Sequence, residues 1–353
     1  MGDVLFADFE TRSPVDIRKA GADVYAKDPN ARVMAFGYAF NDDPVQVVKM
    51  GEDPPHNVLA HVAEGGLVVA HNAPFEWVVW NYMWRNEFPK IPYLSINQMV
   101  CTATMAYAMS LPGSLERAAP AAGIDIKKDM QGNRVMLQLA QPKDIVDGKI
   151  EWYEPSDYPQ KFDRMYAYCA TDVNVERDLY KRLSSLSPKE KKLWYLDHKI
   201  NQKGVYIDVE AVKKAVELVN LEKERLDKEM RELTNNEVAT CNATLQLTSW
   251  IKSQGLDIEG VAKNDVTLLL EDETVPEHVK KVLLLRQEAA KASNAKLTSM
   301  INSCGEDNRA RSLFQYHGAG TGRWAGRRIQ VQNLPRSEIS KDEIDYILGL
   351  FHG

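Results

Sequence analysis

Asp8 and Glu10 stand two residues apart in an otherwise apolar stretch, VLFADFE. Residues 4–9 read as a strand, and on a strand such neighbours leave the same face. Two carboxylates placed together in an apolar segment are costly unless a cation neutralises them, and hard divalent cations such as Mg²⁺ favour oxygen donors. Alone, the pair also fits a strand that frays at Asp8 and leaves both acids in water. A third carboxylate, Glu76, lies in HNAPFE, directly after the short apolar run Leu67–Ala70, with Asn72 as its polar neighbour. Strand ends are where α/β sites gather. Tyr168 and Asp172 are spaced i, i+4 and share one face of the helix expected over residues 162–184. By themselves they would be a helix-surface pair. Taken together, these residues make a set of four acids and one phenol. No Ser-His-Asp or Cys-His arrangement competes, and His71 suits the shaping of a strand end, or a substrate contact, better than proton transfer.

Elements must bring these groups together. Strands are expected at residues 4–9, 33–40, 45–50 and Leu67–Ala70, a helix from about Pro74, and the helix at 162–184 ended by Ser187-Pro188. Strands first with helices interleaved give an α/β domain over residues 1–186. Composition then shifts to Lys, Glu and Leu. Residues 187–304 read as mostly helical, with Asp208 capping a long helix whose Val212, Ala215, Val216, Val219, Leu226, Met230 and Leu233 fall on one face. Further helices are expected at 244–255, 266–271 and 276–300. A last segment, 305–353, contains six arginines and no acid between residues 309 and 336. An asymmetry that sharp points to a polyanion contact, the alternative being a solvated arginine face.

Composition excludes several classes. The 353 residues carry 44 Lys and Arg against 50 Asp and Glu, net −6, so a uniformly basic nucleic-acid coat is ruled out but a local patch is not. Apolar residues make up 44% of the chain, which argues against disorder. The four cysteines, at 101, 169, 241 and 304, form no CxxC pair, so free thiols in a reducing cytosol are expected. Asp3, Asp8 and Glu10 are wrong for a signal peptide, and aliphatic runs such as Leu67–Ala70 are too short to span a bilayer. The expectation is a soluble cytoplasmic protein with no membrane partner.

The ordered motifs DFE, HNAPFE and Tyr168-x₃-Asp172 resemble the DEDDy class of 3′–5′ exonucleases, whose fold is ribonuclease H-like. The resemblance covers roughly residues 1–186. It implies two Mg²⁺ or Mn²⁺ ions held by Asp8, Glu10, Glu76 and Asp172, with Asp8 bridging both and Tyr168 orienting the attacking water. Asn72 is taken as a DNA contact. The family's second motif usually ends in Asp, and Glu76 is one methylene longer, a reach that a bridging water absorbs. Phage and prophage polymerases, acting in a bacterial host, share an HNAxFE-like motif.

GVYID at 204–208, NATLQLTSWIKSQGL at 242–256, LLLRQEAAKASNAKL at 283–297 and TGRWAGRRIQVQNLPR at 321–336 resemble the thumb and the start of the palm of family A DNA polymerases. The resemblance implies phosphate contacts from Arg323, Arg327 and Arg328 and substrate contacts from Gln332 and Asn333. Lys291, Asn294 and Lys296 match the thumb's DNA-facing helix, or else an ordinary solvated helix. The RxxxKxxxYG nucleotide-binding helix and the palm aspartates are not in this sequence, so the chain alone is not expected to polymerise; a second chain could carry palm and fingers. Two functions follow as expectations. One is a metal-dependent 3′–5′ DNA exonuclease that proofreads for a polymerase on single-stranded and primer-template DNA. The other is a DNA-binding or assembly subunit that completes a partner polymerase, with weak or no exonuclease activity.

Overall fold

The structure is a computed structural model that describes residues 2–125, 129–291, 295–334 and 339–352. Five strands form a mixed sheet: β1 (Val4–Arg12), β2 (Arg32–Phe40), β3 (Gln46–Lys49), β4 (Leu67–Ala70) and β5 (Met99–Cys101), in the order β3-β2-β1-β4-β5. The central β2 of the first three runs antiparallel to both β1 and β3, whereas β4 lies parallel to β1 and β5 parallel to β4. This is the α/β, ribonuclease H-like arrangement expected from the motifs.

Alternation along β1 divides its side chains between two faces. Leu5, Ala7 and Phe9 enter a core with Phe36, Trp80 and Trp84, where the Phe9 and Phe36 rings are 4.6 Å apart. Phe6 packs on the opposite side with Ala39, Val69 and Val173. Asp8 and Glu10 therefore share the face of Phe6. The helix α1 (Ala73–Val78) continues through a wider π-helical turn, Val79–Trp84, which sets Trp80 and Trp84 into the first core. After α2 (Met130–Leu139), the 24-residue helix α3 (Pro159–Arg182) crosses the other face, burying Phe162, Met165, Cys169, Val173 and Leu179.

The described residues fall into two compact units, Met1–Tyr206 with Asn302–Pro335, and Ile207–Ile301 with Arg336–Gly353. These bounds differ from the sequence boundaries at 186 and 304. Helix α4 (Pro188–Lys203) has a Lys-rich surface that reads as part of the helical region, yet Trp194 is buried in the core of the sheet. Val205–Tyr206 then pairs antiparallel with Arg309–Ala310, which holds most of the arginine-rich stretch in the first unit.

The second unit is helical: α5 (Val209–Leu233), α6 (Thr244–Ser253), α7 (Lys263–Glu271), α8 (Glu277–Lys291), α9 (Ala295–Asn302) and α10 (Lys341–His352). Asp208 caps α5 by accepting the Ala211 N–H at 3.0 Å. Leu226 and Met230 of α5 meet Leu247, Trp250, Ile251, Val279 and Val282 in a separate core. The rest of the expected apolar stripe is only half-buried at Val212, Ala215, Val216 and Val219, and exposed at Leu233, while α10 packs along α5. The helix expected over 276–300 is described as α8 and α9 on either side of residues 292–294.

Candidate metal centre and nucleic-acid cleft

The β1–β4 ladder ends just before the acids begin. β4 pairs with β1 only from Val4 to Phe6, so the β4-side edge of β1 is open from Ala7 onward. Glu76 fills that edge: its Oε2 accepts the Phe9 N–H at 3.1 Å, between Asp8 and Glu10. The extra methylene of Glu76 thus has a structural use. The turn that launches Glu76 is His71-Asn72, with Asn72 at φ 68° in the left-handed region that Asn tolerates. Asn72 is exposed and its side chain makes no capping bond. His71 is fixed on both ring nitrogens, Nε2 donating to the Gly113 carbonyl and Nδ1 accepting from the Thr102 hydroxyl, each at 2.8 Å. Burial lowers its pKa to about 4, so the ring is neutral and shapes the strand end.

Helix α3 brings the remaining groups. Opposite Asp8 in register is Gly37 of β2. A Cβ there would lie 2.8 Å from Cys169 Sγ and 2.9 Å from Val173 Cγ2, so the glycine lets α3 close onto the sheet. Cys169 Sγ sits 3.8 Å from Asp8 Oδ2, and one ligand atom each from Asp8, Glu10 and Cys169 lie within 4.8 Å of one another. The Asp172 carboxylate feels Asp8 and accepts from the Tyr168 hydroxyl. That hydroxyl in turn accepts from Asn133 Nδ2 of α2 at 3.3 Å.

The electrostatics of the cluster are one-sided. Burial, opposed by a contact from Cys169, raises Asp8 to about 6. Burial and Asp8 raise Asp172 to about 7. Burial raises Glu10 and Glu76 well above the usual carboxylate range, with Asp8 the strongest charged contributor to each. The neighbouring charges that act most on these groups are themselves acidic. Acids that raise one another's pKa are a donor set a hard divalent cation would neutralise. Among the described residues Asp8 and Glu10, with Cys169, have ligand atoms close enough to share an ion. Glu76 and Asp172 act on them by charge from outside that close group. Cys169 adds a soft donor beside them.

Two participants escaped the sequence reading. Cys169 follows Tyr168 directly, and only the approach at Gly37 reveals it. Glu176 continues the Tyr168–Asp172 spacing by one more turn, a signal present in the sequence. It is 1% exposed, and its Oε2 accepts the His71 N–H at 2.7 Å.

The residues expected to contact DNA divide. Asn72, Arg327 and Arg328 line one cleft of about 640 Å³ in the first unit, with Tyr107, Trp194 and Tyr316 among its walls. Arg323, Gln332 and Asn333 are exposed nearby in sequence, Asn333 donating to Gln330 Oε1 at 2.8 Å. Three of the six arginines have internal work. Arg309 bonds the Gly204 carbonyl and Arg311 the Gln202 carbonyl and Asp307, while Arg328 donates to the carbonyls of Arg311 and Ser312. Arg336 lies outside the described residues. Lys291 ends α8, Lys296 is half-buried on α9, and Asn294 lies outside the described residues. No described helix is long and apolar enough to cross a membrane.

No protein-family model matches the chain. A DNA polymerase of Bacillus phage SP02 is 37% identical over 359 residues, a match that takes in 99% of this chain. The chain spans 53% of that relative's length. Among solved structures, the POL domain of Pol1 from M. smegmatis, in complex with DNA primer-template and dNTP, superposes with a TM-score of 0.55 at 13% identity, covering 95% of this chain and 53% of that one. Along nearly its whole length the chain is thus a homologue of a phage DNA polymerase, matching about half of it and sharing the fold of a polymerase domain.

Proposed function

We propose that the chain carries a metal-dependent 3′–5′ DNA exonuclease, the proofreading part of a phage-type DNA polymerase acting in the cytoplasm of a bacterial host. The observation that carries this reading is the convergence of Asp8, Glu10, Glu76 and Asp172 with every one of their pKa values pushed upward. Two divalent ions, Mg²⁺ or Mn²⁺, would supply Lewis acidity toward a phosphodiester and toward water. The chain's own residues do the rest. Asp8 and Glu10 present oxygens from a rigid strand, and Asp172 meets them from α3. Tyr168, fixed by Asn133 and Asp172, is placed to orient a water.

The cleft with Asn72 and Arg327, lined also by His71 and Phe75 but by none of the four acids, would receive the strand. Aromatic walls suit stacked bases and the exposed arginine suits phosphates. Arg323, Gln332, Asn333 and the α8–α9 stretch with Lys291, Asn294 and Lys296 would follow the primer-template duplex. Polymerisation, on this reading, requires palm and fingers beyond these residues, on the same or a second chain.

The test is incubation with 5′-labelled single-stranded DNA and Mg²⁺ or Mn²⁺. Stepwise shortening from the 3′ end that stops with excess EDTA is expected. Shortening that persists in chelator would contradict the metal centre. DNA binding without any shortening would favour an assembly subunit instead.

A further inference from the structure

We infer that Glu176 is a positioning residue of the carboxylate centre: it holds the His71–Asn72 turn against α3 and thereby sets where Glu76 stands relative to Asp8. The inference rests on the metal-centre reading and deepens it.

Tyr168, Asp172 and Glu176 are successive i, i+4 neighbours, so one face of α3 presents all three to the sheet. Glu176 is the deepest of them, at 1% exposure. A carboxylate at that depth needs partners, and Oε2 has one, the His71 N–H at 2.7 Å. That N–H belongs to the residue just past β4, where the ladder has ended and the chain turns through Asn72 into α1. One turn into α1, Glu76 reaches back to the Phe9 N–H. The path from Glu176 through His71, Asn72 and Glu76 to Phe9 therefore runs from α3 through the β4–α1 turn and α1 to β1, and α3, α1 and β1 are the elements that carry the four acids. Glu176 Oε1 has no hydrogen-bond partner at ordinary distance among the described residues, although the Ala7 N–H of β1 also favours this carboxylate. It lies in the field of Asp8 and Glu76. Groups in this relation to metal ligands fix ligand orientation, and their loss weakens metal binding without removing a ligand.

The experiment is Mn²⁺ titration of the full chain without DNA, followed by electron paramagnetic resonance, for wild type, Glu176→Ala and Glu176→Gln. Gln keeps the length and an accepting oxygen, so it should stay within about threefold of wild type, while Ala should weaken Mn²⁺ binding about tenfold or more. A purely structural role would not restore affinity with the conservative variant in this way. Should Glu176→Ala not fold, Glu176→Asp carries the test, since it keeps the charge but withdraws the oxygen from His71 and should weaken binding too. Unchanged affinity in folded Ala or Asp variants overturns the inference, as does a Gln variant as weak as Ala. Wild-type protein that binds no Mn²⁺ overturns the metal-centre reading itself, and this inference with it.

Discussion

At the scale of residues, repulsion among acids governs the site. Without a cation, Asp172 sits beside Asp8 under burial that favours the protonated form of both. Asp172→Asn should therefore raise the metal-free melting midpoint by roughly 2–4 °C, the shift that about 1 kcal/mol gives in a domain of this size. Added Mg²⁺ should raise the wild-type midpoint through linkage and leave the variant almost unmoved. Equal Mg²⁺ shifts in differential scanning fluorimetry would argue against a metal at Asp172. His198 gives a pH prediction. It is buried, its Nε2 is unpartnered among the described residues, and its ring stacks edge-on to Trp77 at 4.6 Å. Burial lowers its pKa to about 4. A depressed histidine pKa means that the unfolded chain binds the proton first, so this residue's share of stability falls as pH drops from 6.5 toward 4. Buried carboxylates pull the other way in that range, so the quantity to read is the difference between proteins. Wild type should lose stability relative to His198→Phe by up to about 1.4 kcal/mol per pH unit in urea unfolding. Parallel pH curves would show that His198 does not titrate on unfolding.

At the scale of elements, the approach of α3 to the sheet decides whether the acids meet. Gly37→Ala should cost about 1–3 kcal/mol by overpacking against Cys169 and Val173. Cys169→Ala should recover part of that loss, because it removes the atom nearest the added methyl group. Additive effects of the two changes in urea unfolding would mean the contact is absent. Four of the five strands were legible in the sequence because alternation and apolar runs are local signals, with β1 longer than expected by Glu10, Thr11 and Arg12. The three-residue β5 was too short to show a pattern. Asp8, Glu10, Tyr168 and Asp172 were legible because each pair lies within one element. Cys169 was not, since its nearness to Asp8 depends on a missing side chain across the sheet at Gly37. Helix α4 was read with the helical region for a similar reason: its surface composition matches that region, and the contacts that tie it to the sheet, such as the burial of Trp194 and the His198–Trp77 stack, are not visible in composition.

At the scale of the whole molecule, a net charge of −6 coexists with a basic segment, and the structure narrows what that segment offers to DNA. Arg309, Arg311 and Arg328 are engaged by carbonyls and acids, whereas Arg323 and Arg327 are exposed. Charge counting along the sequence could not separate these, because a guanidinium bound to a carbonyl and one facing water look alike there. Replacing Arg323 and Arg327 together with Ala should reduce the slope of log affinity for duplex DNA against log salt by about 2. Arg328→Ala should lower stability instead, by freeing the carbonyls of Arg311 and Ser312. An unchanged slope in the double variant would remove these two arginines from the DNA surface. The central claim, however, is that the four acids form a centre that removes nucleotides from a DNA 3′ end. It is tested most directly by the rate of mononucleotide release from single-stranded DNA at saturating Mg²⁺, measured for wild type and for a folded Asp8→Asn variant. The account predicts release by the wild type and a loss of orders of magnitude in the variant. Equal rates in the two proteins would contradict it.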